Sequence, residues 1–372
     1  MKKIQLLSNK YEDTIKTFRL SVISFILAII CGGIFIMLSG FSPIETYKAI
    51  FKGSLGSYKG FILSLSQATP LMFTGLAFAI AFRVRIINLG AEGQLYMGAM
   101  VSAIVGAYIG GLPSFAHVTL AVLAGAIAGG LIGLFIGFLK VKFGASEIIL
   151  GIMLNEILIL FTTYLATGPL KAQGSQIAQT MPVMESAKLS KLVPRSQLTI
   201  AILIAIGAAI LLELLMRKTV LGYEMKVTGT NLTASKTAGI NVSKVYLFSI
   251  FLSGAMAGLA GTALSLGVHG RFIEGISTGY GFAGIPVAAL AAYNPVGALI
   301  SSFLFGALRA GAMTINRTTS IPIEFVAVVQ SLVVVFVASP QLIKALSPFR
   351  KDFKEKLGRK KGSNSSAKAD EE

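Results

Sequence analysis

Asn88, Glu92 and Gln94 stand within one short stretch, NLGAEGQ. A carboxylate and two carboxamides on glycine-rich backbone have the donors and acceptors to bind the hydroxyls of a sugar or nucleoside. Gly90 and Gly93 permit unwound or sharply turned backbone, tolerated at membrane depth only where it lines protein or water. The alternative is structural: Glu92 pairs with Arg83 or Arg85, or caps a helix near the membrane surface. Asn155 and Glu156 form a second candidate pair, with Glu147 nearby. Neighbours on a helix point apart, so only one of the two can face a path, and residue types alone leave both choices open. Tyr280 and Phe282 offer aromatic faces for a flat base, or belt aromatics at a span end. Gln67, Thr69 and Pro70 mark a kink, since proline removes an internal hydrogen bond. Glu213 and Glu324 fall near helix ends and read as surface or inter-helix contacts.

Other chemistry is missing. No G-x-x-x-x-G-K-[ST] loop for ATP phosphates occurs, and HExxH is absent. Cys31 is the single cysteine, so neither an intrachain disulfide nor a CxxC metal pattern exists. His117 and His269 are isolated near predicted span ends and read as interfacial side chains rather than ligands. No serine–histidine pairing suggests itself. The chain is therefore not expected to be an enzyme, nor to hold a metal or cofactor.

The elements that must position these residues are membrane helices. The 372 residues are 54% hydrophobic and 13% charged, with mean hydropathy +0.76; soluble domains run at about 25% charged. The net charge is +17; of the 33 Lys and Arg residues, five precede Leu20 and nine lie from Lys344 onward. These suit an anionic membrane leaflet, and the aromatic interleaving of a nucleic-acid platform is lacking. We expect an all-α polytopic membrane protein with about ten segments, near 20–39, 61–82, 86–109, 118–139, 146–168, 198–216, 245–268, 281–293, 296–313 and 323–340. The eighth is too short to cross as a straight helix and reads as a half-helix or re-entrant segment. The first run continues into Ser39-Gly40-Phe41 without a small-residue cleavage site, so it reads as a retained span rather than a signal peptide. Residues 1–19 then form a cytoplasmic N-terminal segment, 20–343 the transmembrane domain, and 344–372 a partly disordered basic cytoplasmic tail. Lys and Arg at 83, 85, 140, 142 and 217–244 fall on the side of both termini, which the positive-inside bias makes cytoplasmic. The stretch from Pro169 to Gln197 becomes an outer loop, either a docking surface for an external partner or a connector.

Three further patterns matter. Residues 217–244 form a long polar interruption in which Asn231 can cap a short helix from Leu232 to Ala238, with Gly239 at a left-handed C-terminal position. Such an object is either a docking element or an ordinary solvated loop. Gly125, Gly129, Gly133 and Gly137 recur every four residues, and Gly254 and Gly258 repeat the device. Small-residue faces let helices approach closely, whether as a sliding or dimer interface or as static packing within one chain. Segments two to five and seven to ten begin on opposite faces, the arrangement of an inverted repeat. Asn88–Gln94 and Gly279–Gly284 would be its matched glycine-rich breaks.

The run through Thr219, Leu221, Gly222, Gly229, Asn231, Ala234, Gly239, Ile240, Asn241 and Val242 resembles the cytoplasmic coupling loop of ABC-importer permeases of the branched-chain amino acid, ribose and nucleoside group. Ser253–Gly261, SGAMAGLAG, resembles the same group, and Ile87–Ala99, INLGAEGQLYMGA, its nucleoside-uptake branch. The resemblance extends roughly from Leu63 to Ala338. It implies a permease subunit working by alternating access with an ABC ATPase that binds ATP and Mg, a second permease of the same or a different chain, and an extracellular substrate-binding protein. Gly222, Gly229, Asn231, Ala234 and Gly239 would receive the ATPase. Asn88, Glu92, Gln94, Asn155 and Phe282 would line the substrate path. The rival reading is an ion-coupled transporter or channel, in which Glu92 and Glu156 carry protons or ions.

Overall fold

A computed structural model describes residues 26–27, 29–38, 40–318, 328 and 331–332. The segment expected at 323–340, Glu324, and both terminal segments, 1–19 and 344–372, lie outside the described residues. Helix α1 (Ile29–Leu38), which carries the free Cys31, belongs to one unit, and residues 41–326 form another.

Within the second unit the helices run α2 (Pro43–Ser54), α3 (Tyr58–Arg83), α4 (Ala91–Tyr108), α5 (Ser114–Phe143), α6 (Glu147–Thr167), α7 (Ala201–Lys218), α8 (Val220–Thr230), α9 (Leu232–Thr237), α10 (Val242–Thr262), α11 (Tyr280–Leu290) and α12 (Pro295–Thr318). A π-helical turn, Ala263–His269, extends α10. Among the described residues β-pairing is limited to isolated bridges. Among the described residues, five helices are long and apolar enough to cross a membrane: α3, α5, α6, α10 with its extension, and α12. The fold is thus that of an all-helical, multi-pass membrane protein.

Each expected segment between 61 and 313 contains a helix. The third starts late, at Ala91, and the eighth is α11, only 11 residues long. Proline does not divide the second: α3 stays helical across Pro70. Helix α2 matches no expected segment. Ser42 caps it, Pro43 opens it, and Thr46, Ile50 and Gly53 form its buried stripe. That stripe lies on α12, where a Cβ at Gly53 would meet Thr314 and one at Gly311 would meet Ile50. Its apolar residues alternate with Glu45, Lys48 and Lys52, which hides it from a search for apolar runs.

Helix α3 is the centre of the bundle. Its most apolar window is 89% buried, against 33% for α5 and 22% for α6, whose outer faces are left for lipid or other protein. The glycine stripe of α5 lies on the pair Gly254 and Gly258 of α10. A Cβ at Gly129 would stand 2.4 Å from the Gly254 carbonyl oxygen, and one at Gly258 would stand 2.3 Å from that of Gly125. Gly98 of α4 meets Gly258 equally closely. The small residues therefore serve static packing of α4, α5 and α10 within one chain, at distances only glycine permits.

The loop after α6 is an ordered cap. Thr180 N–H donates to the Phe272 carbonyl at 3.0 Å, and Glu274 N–H to that of Ala178 at 2.9 Å. His117, expected at an interface, is instead fully buried, with Nδ1 2.8 Å from Ser186 Oγ and Nε2 3.2 Å from the Val105 carbonyl oxygen. It ties this loop to α4 and α5.

Candidate functional site

The third expected segment starts late because residues 84–90 leave the helix. Val84 ends α3, and Arg85 takes a left-handed φ of 59°, unusual for a side chain of its size. The chain then runs non-helically to Gly90, the residue before α4. Such backbone leaves peptide groups unpaired, and the sequence supplies partners for them. Asn155 on α6 accepts from Gly93 N–H at 2.7 Å through Oδ1 and donates to the Leu89 carbonyl at 2.7 Å through Nδ2. Asn88 and Gln94 form a reciprocal amide pair at 2.8 and 3.1 Å. Asn88 Nδ2 also donates to Ser253 Oγ at 2.8 Å, and that hydroxyl donates to the Ala77 carbonyl at 2.7 Å. All four side chains are buried. They join α3, the break, α4, α6 and α10 in one network, in which the three carboxamides bond to one another, to Ser253 or to backbone.

The glycines of the break have a different use from the expected one. Gly90 has φ −78°, open to any residue, and Gly93 lies inside α4. What they supply is room. A Cβ at Gly90 would stand 2.8 Å from Ile136 Cδ1, and one at Gly93 would stand 3.0 Å from Asn155 Cα. Gly151 of α6 likewise approaches the Gly90 nitrogen.

Glu92 pairs with neither Arg83 nor Arg85. It is buried, second in α4, and its Oε2 accepts from the N–H of Gly281, second in α11, at 2.7 Å. The N-terminal ends of two short helices thus meet at one carboxylate, the sign that two helix dipoles favour. Gly281 is required there because its Cβ would fall 2.4 Å from Glu92 Oε2. The two glycine-rich breaks read as counterparts are in direct contact. Tyr280 is buried rather than interfacial; its hydroxyl donates to Gln67 Oε1 on α3. Phe282, by contrast, is exposed and stands apart from the network. Glu156 is also exposed while Asn155 is buried, which settles which of that pair faces inward.

The polar interruption folds into α8 and α9. Thr219 Oγ1 accepts from Gly222 N–H at 3.1 Å, and Gly222 lets α8 fold back on the end of α7, where a Cβ would lie 2.3 Å from the Leu215 carbonyl oxygen. Asn231 Oδ1 accepts from the N–H groups of Thr233 and Ala234, both at 3.0 Å, capping α9 as its sequence requires. Gly239 has φ 77° with open space around it, so its torsion alone calls for glycine. Ser235 is the one buried residue of α9, and Ala234 is exposed.

Gly229 makes the tightest approach of this loop. Its absent Cβ would lie 1.9 Å from the Arg83 carbonyl oxygen, and Arg85 Nε donates to the Gly229 carbonyl at 3.1 Å. The C-terminal end of α8 is therefore seated on the end of α3, at the start of the break that the Asn88–Gln94–Asn155 network holds.

Residues 60–338 match the family described as the branched-chain amino acid transport system permease component. The chain belongs to this permease family. Its relatives include the guanosine ABC transporter permease protein NupP of Bacillus subtilis, 34% identical over 87% of this chain and 93% of the relative. The nucleoside ABC transporter permease protein NupB of Lactococcus lactis is 31% identical over 91% and 96%. The glucose ABC transporter permease protein TsgB13 of Haloferax volcanii is 30% identical over 87% of each.

For this permease, sequence reasoning missed three participants. Arg85 was read as a surface partner for Glu92 and as a charge marking the cytoplasmic side, and Ser253 only as part of a small-residue motif. Arg309 was overlooked, although it is the one charged residue in its expected segment, 296–313, which is a signal in itself.

Proposed function

We propose that this permease is the membrane-spanning subunit of an ABC importer for nucleosides, driven through α8 and α9 by a partner ATPase that binds ATP and Mg. The observation that carries the coupling reading is the seat of Gly229 on Arg83 and Arg85. A push on the exposed α9 reaches the α3–α4 break through that seat without crossing a flexible segment. Val220, Leu221, Tyr223 and Leu232 leave apolar surface exposed on the two loop helices, suited to a protein partner. The nucleoside reading rests on the relatives named for guanosine and nucleoside; the one named for glucose makes related sugars the next candidates.

As its membership of this permease family implies, the importer would include a second permease subunit, identical or different, and an extracellular binding protein. Glu156, exposed on an otherwise apolar membrane helix, is costly against lipid and gains from protein or water at that face. Both termini and α9 lie in the cytoplasm in this reading, and the inverted repeat is supported by the meeting of α4 and α11 at Glu92. Asn88, Glu92, Gln94 and Asn155 enter the path when the halves separate and their internal bonds are exchanged for substrate hydroxyls. Phe282, already exposed, offers a face for the base.

The test is purification from detergent-solubilised membrane, followed by nucleoside uptake in proteoliposomes. A co-purifying ATPase, lost when Ala234 and Gly239 are both made bulky, together with ATP-dependent uptake, supports the proposal. A chain that purifies alone and transports on an ion gradient without ATP overturns it.

A further inference from the structure

Arg309 is the one charge in the candidate span Pro295–Thr314, whose mean hydropathy is 1.5. An arginine inside a membrane helix costs up to about 3 kcal/mol on insertion scales, so it favours water, protein or a ligand. Its surroundings are built rather than incidental. The guanidinium carbon lies 4.1 Å from the centroid of the Tyr280 ring. Nη2 donates to the Thr278 carbonyl at 3.1 Å and Nη1 approaches Thr278 Oγ1 at 3.4 Å. The Tyr280 ring is itself buried and fixed by its bond to Gln67. Stacking and two hydrogen bonds thus hold the planar fork in one orientation. A guanidinium has five N–H donors, and Thr278 takes two of them. The side chain is only half-buried and Thr278 is exposed, so the remaining donors open onto an accessible face.

We propose that Arg309 is a specificity-determining residue of the translocation path, and that its fork accepts the carbonyl-bearing edge of a nucleoside base. The inference rests on the nucleoside reading above and deepens it. Arginine donates and never accepts. A 6-oxopurine presents a carbonyl oxygen and a ring nitrogen side by side, both acceptors, which match two parallel N–H groups. Adenine replaces the carbonyl with an amino group, so one donor faces another. The site therefore favours guanosine and inosine over adenosine, with Tyr280 and Thr278 as positioning residues that set the plane of the fork.

The experiment compares uptake of labelled guanosine and adenosine by cells carrying the complete transporter, with wild-type chain, Arg309→Gln or Arg309→Lys at matched membrane levels. The binding protein is the same throughout, so a changed guanosine-to-adenosine ratio belongs to the permease. Loss of one bidentate match is worth about 5- to 150-fold in discrimination. We expect the ratio to fall at least 5-fold in Arg309→Gln, with a similar fall in Arg309→Lys, which keeps the charge and loses the fork. If Arg309→Gln does not reach the membrane, Arg309→Lys decides alone. An unchanged ratio in a variant that reaches the membrane overturns the proposal and makes Arg309 a clamp on Thr278. Failure of the wild-type transporter to import any nucleoside would instead bring down the functional reading beneath it.

Discussion

Replacing Gly229 with alanine tests whether the α8 seat transmits force. The new Cβ would lie 1.9 Å from the Arg83 carbonyl oxygen, 2.9 Å from its carbonyl carbon and 3.3 Å from Val84 Cα. Carbon–oxygen contacts settle near about 3.3 Å, so α8 must withdraw by more than about 1 Å. The obstacle is backbone at the end of the central helix, so no side chain can swing aside. Overpacking of this kind costs about 1–3 kcal/mol. Withdrawal also stretches the Arg85–Gly229 bond, which is exposed and adds little. A penalty of that size on the seated geometry lowers coupling about 5- to 150-fold. It is below the total stability of a folded domain, about 5–15 kcal/mol, so the protein should still reach the membrane. The assay is nucleoside taken up per ATP hydrolysed in proteoliposomes. We expect uptake to fall at least 5-fold while ATP hydrolysis persists. Gly207→Ala is the control, since nothing lies within 4 Å of that position. Normal stoichiometry in Gly229→Ala would refute the transmission argument outright.

Three further outcomes are expected. Gly239→Val forces a β-branched residue to φ 77° and should uncouple transport, whereas Gly239→Asn, which tolerates that torsion, should retain most activity in the same uptake assay. Asn155→Ala strands the buried Gly93 N–H and removes a bond to the part-buried Leu89 carbonyl; at about 1–3 kcal/mol for the buried group, it should lower the thermal midpoint in detergent well beyond the effect of the exposed Glu156→Ala. Gly258→Ala drives a Cβ to 2.3 Å from the Gly125 carbonyl oxygen and should cost stability in the same melt, with Gly207→Ala again unaffected.

How much was legible in the sequence follows from the range of each interaction. The α9 cap and the Gly239 torsion are local, encoded within a few residues of Asn231, and both are found as read. Spans with long apolar runs are equally local, whereas α2 hides its stripe among charges. The polar network is not local. Asn155 lies 62 residues from Gly93 in the chain, and Gly281 lies 189 from Glu92. A residue list marks such side chains as needing partners and leaves the partners open. For Glu92, nearness in sequence favoured Arg83 and Arg85, but the fold supplied a helix N-terminus instead. Glycine is similarly ambiguous: at Gly239 it serves torsion, at Gly90 and Gly93 it serves the approach of a neighbouring helix, and composition alone cannot separate the two. What unites the observed answers is mechanical. The polar residues of the break are bonded to Asn155, Ser253 and Gly281 as well as to one another, which ties the α3–α4 turn to α6, α10 and α11. In the proposed mechanism the seat of Gly229 between Arg83 and Arg85 is where a push from the ATPase would reach that turn.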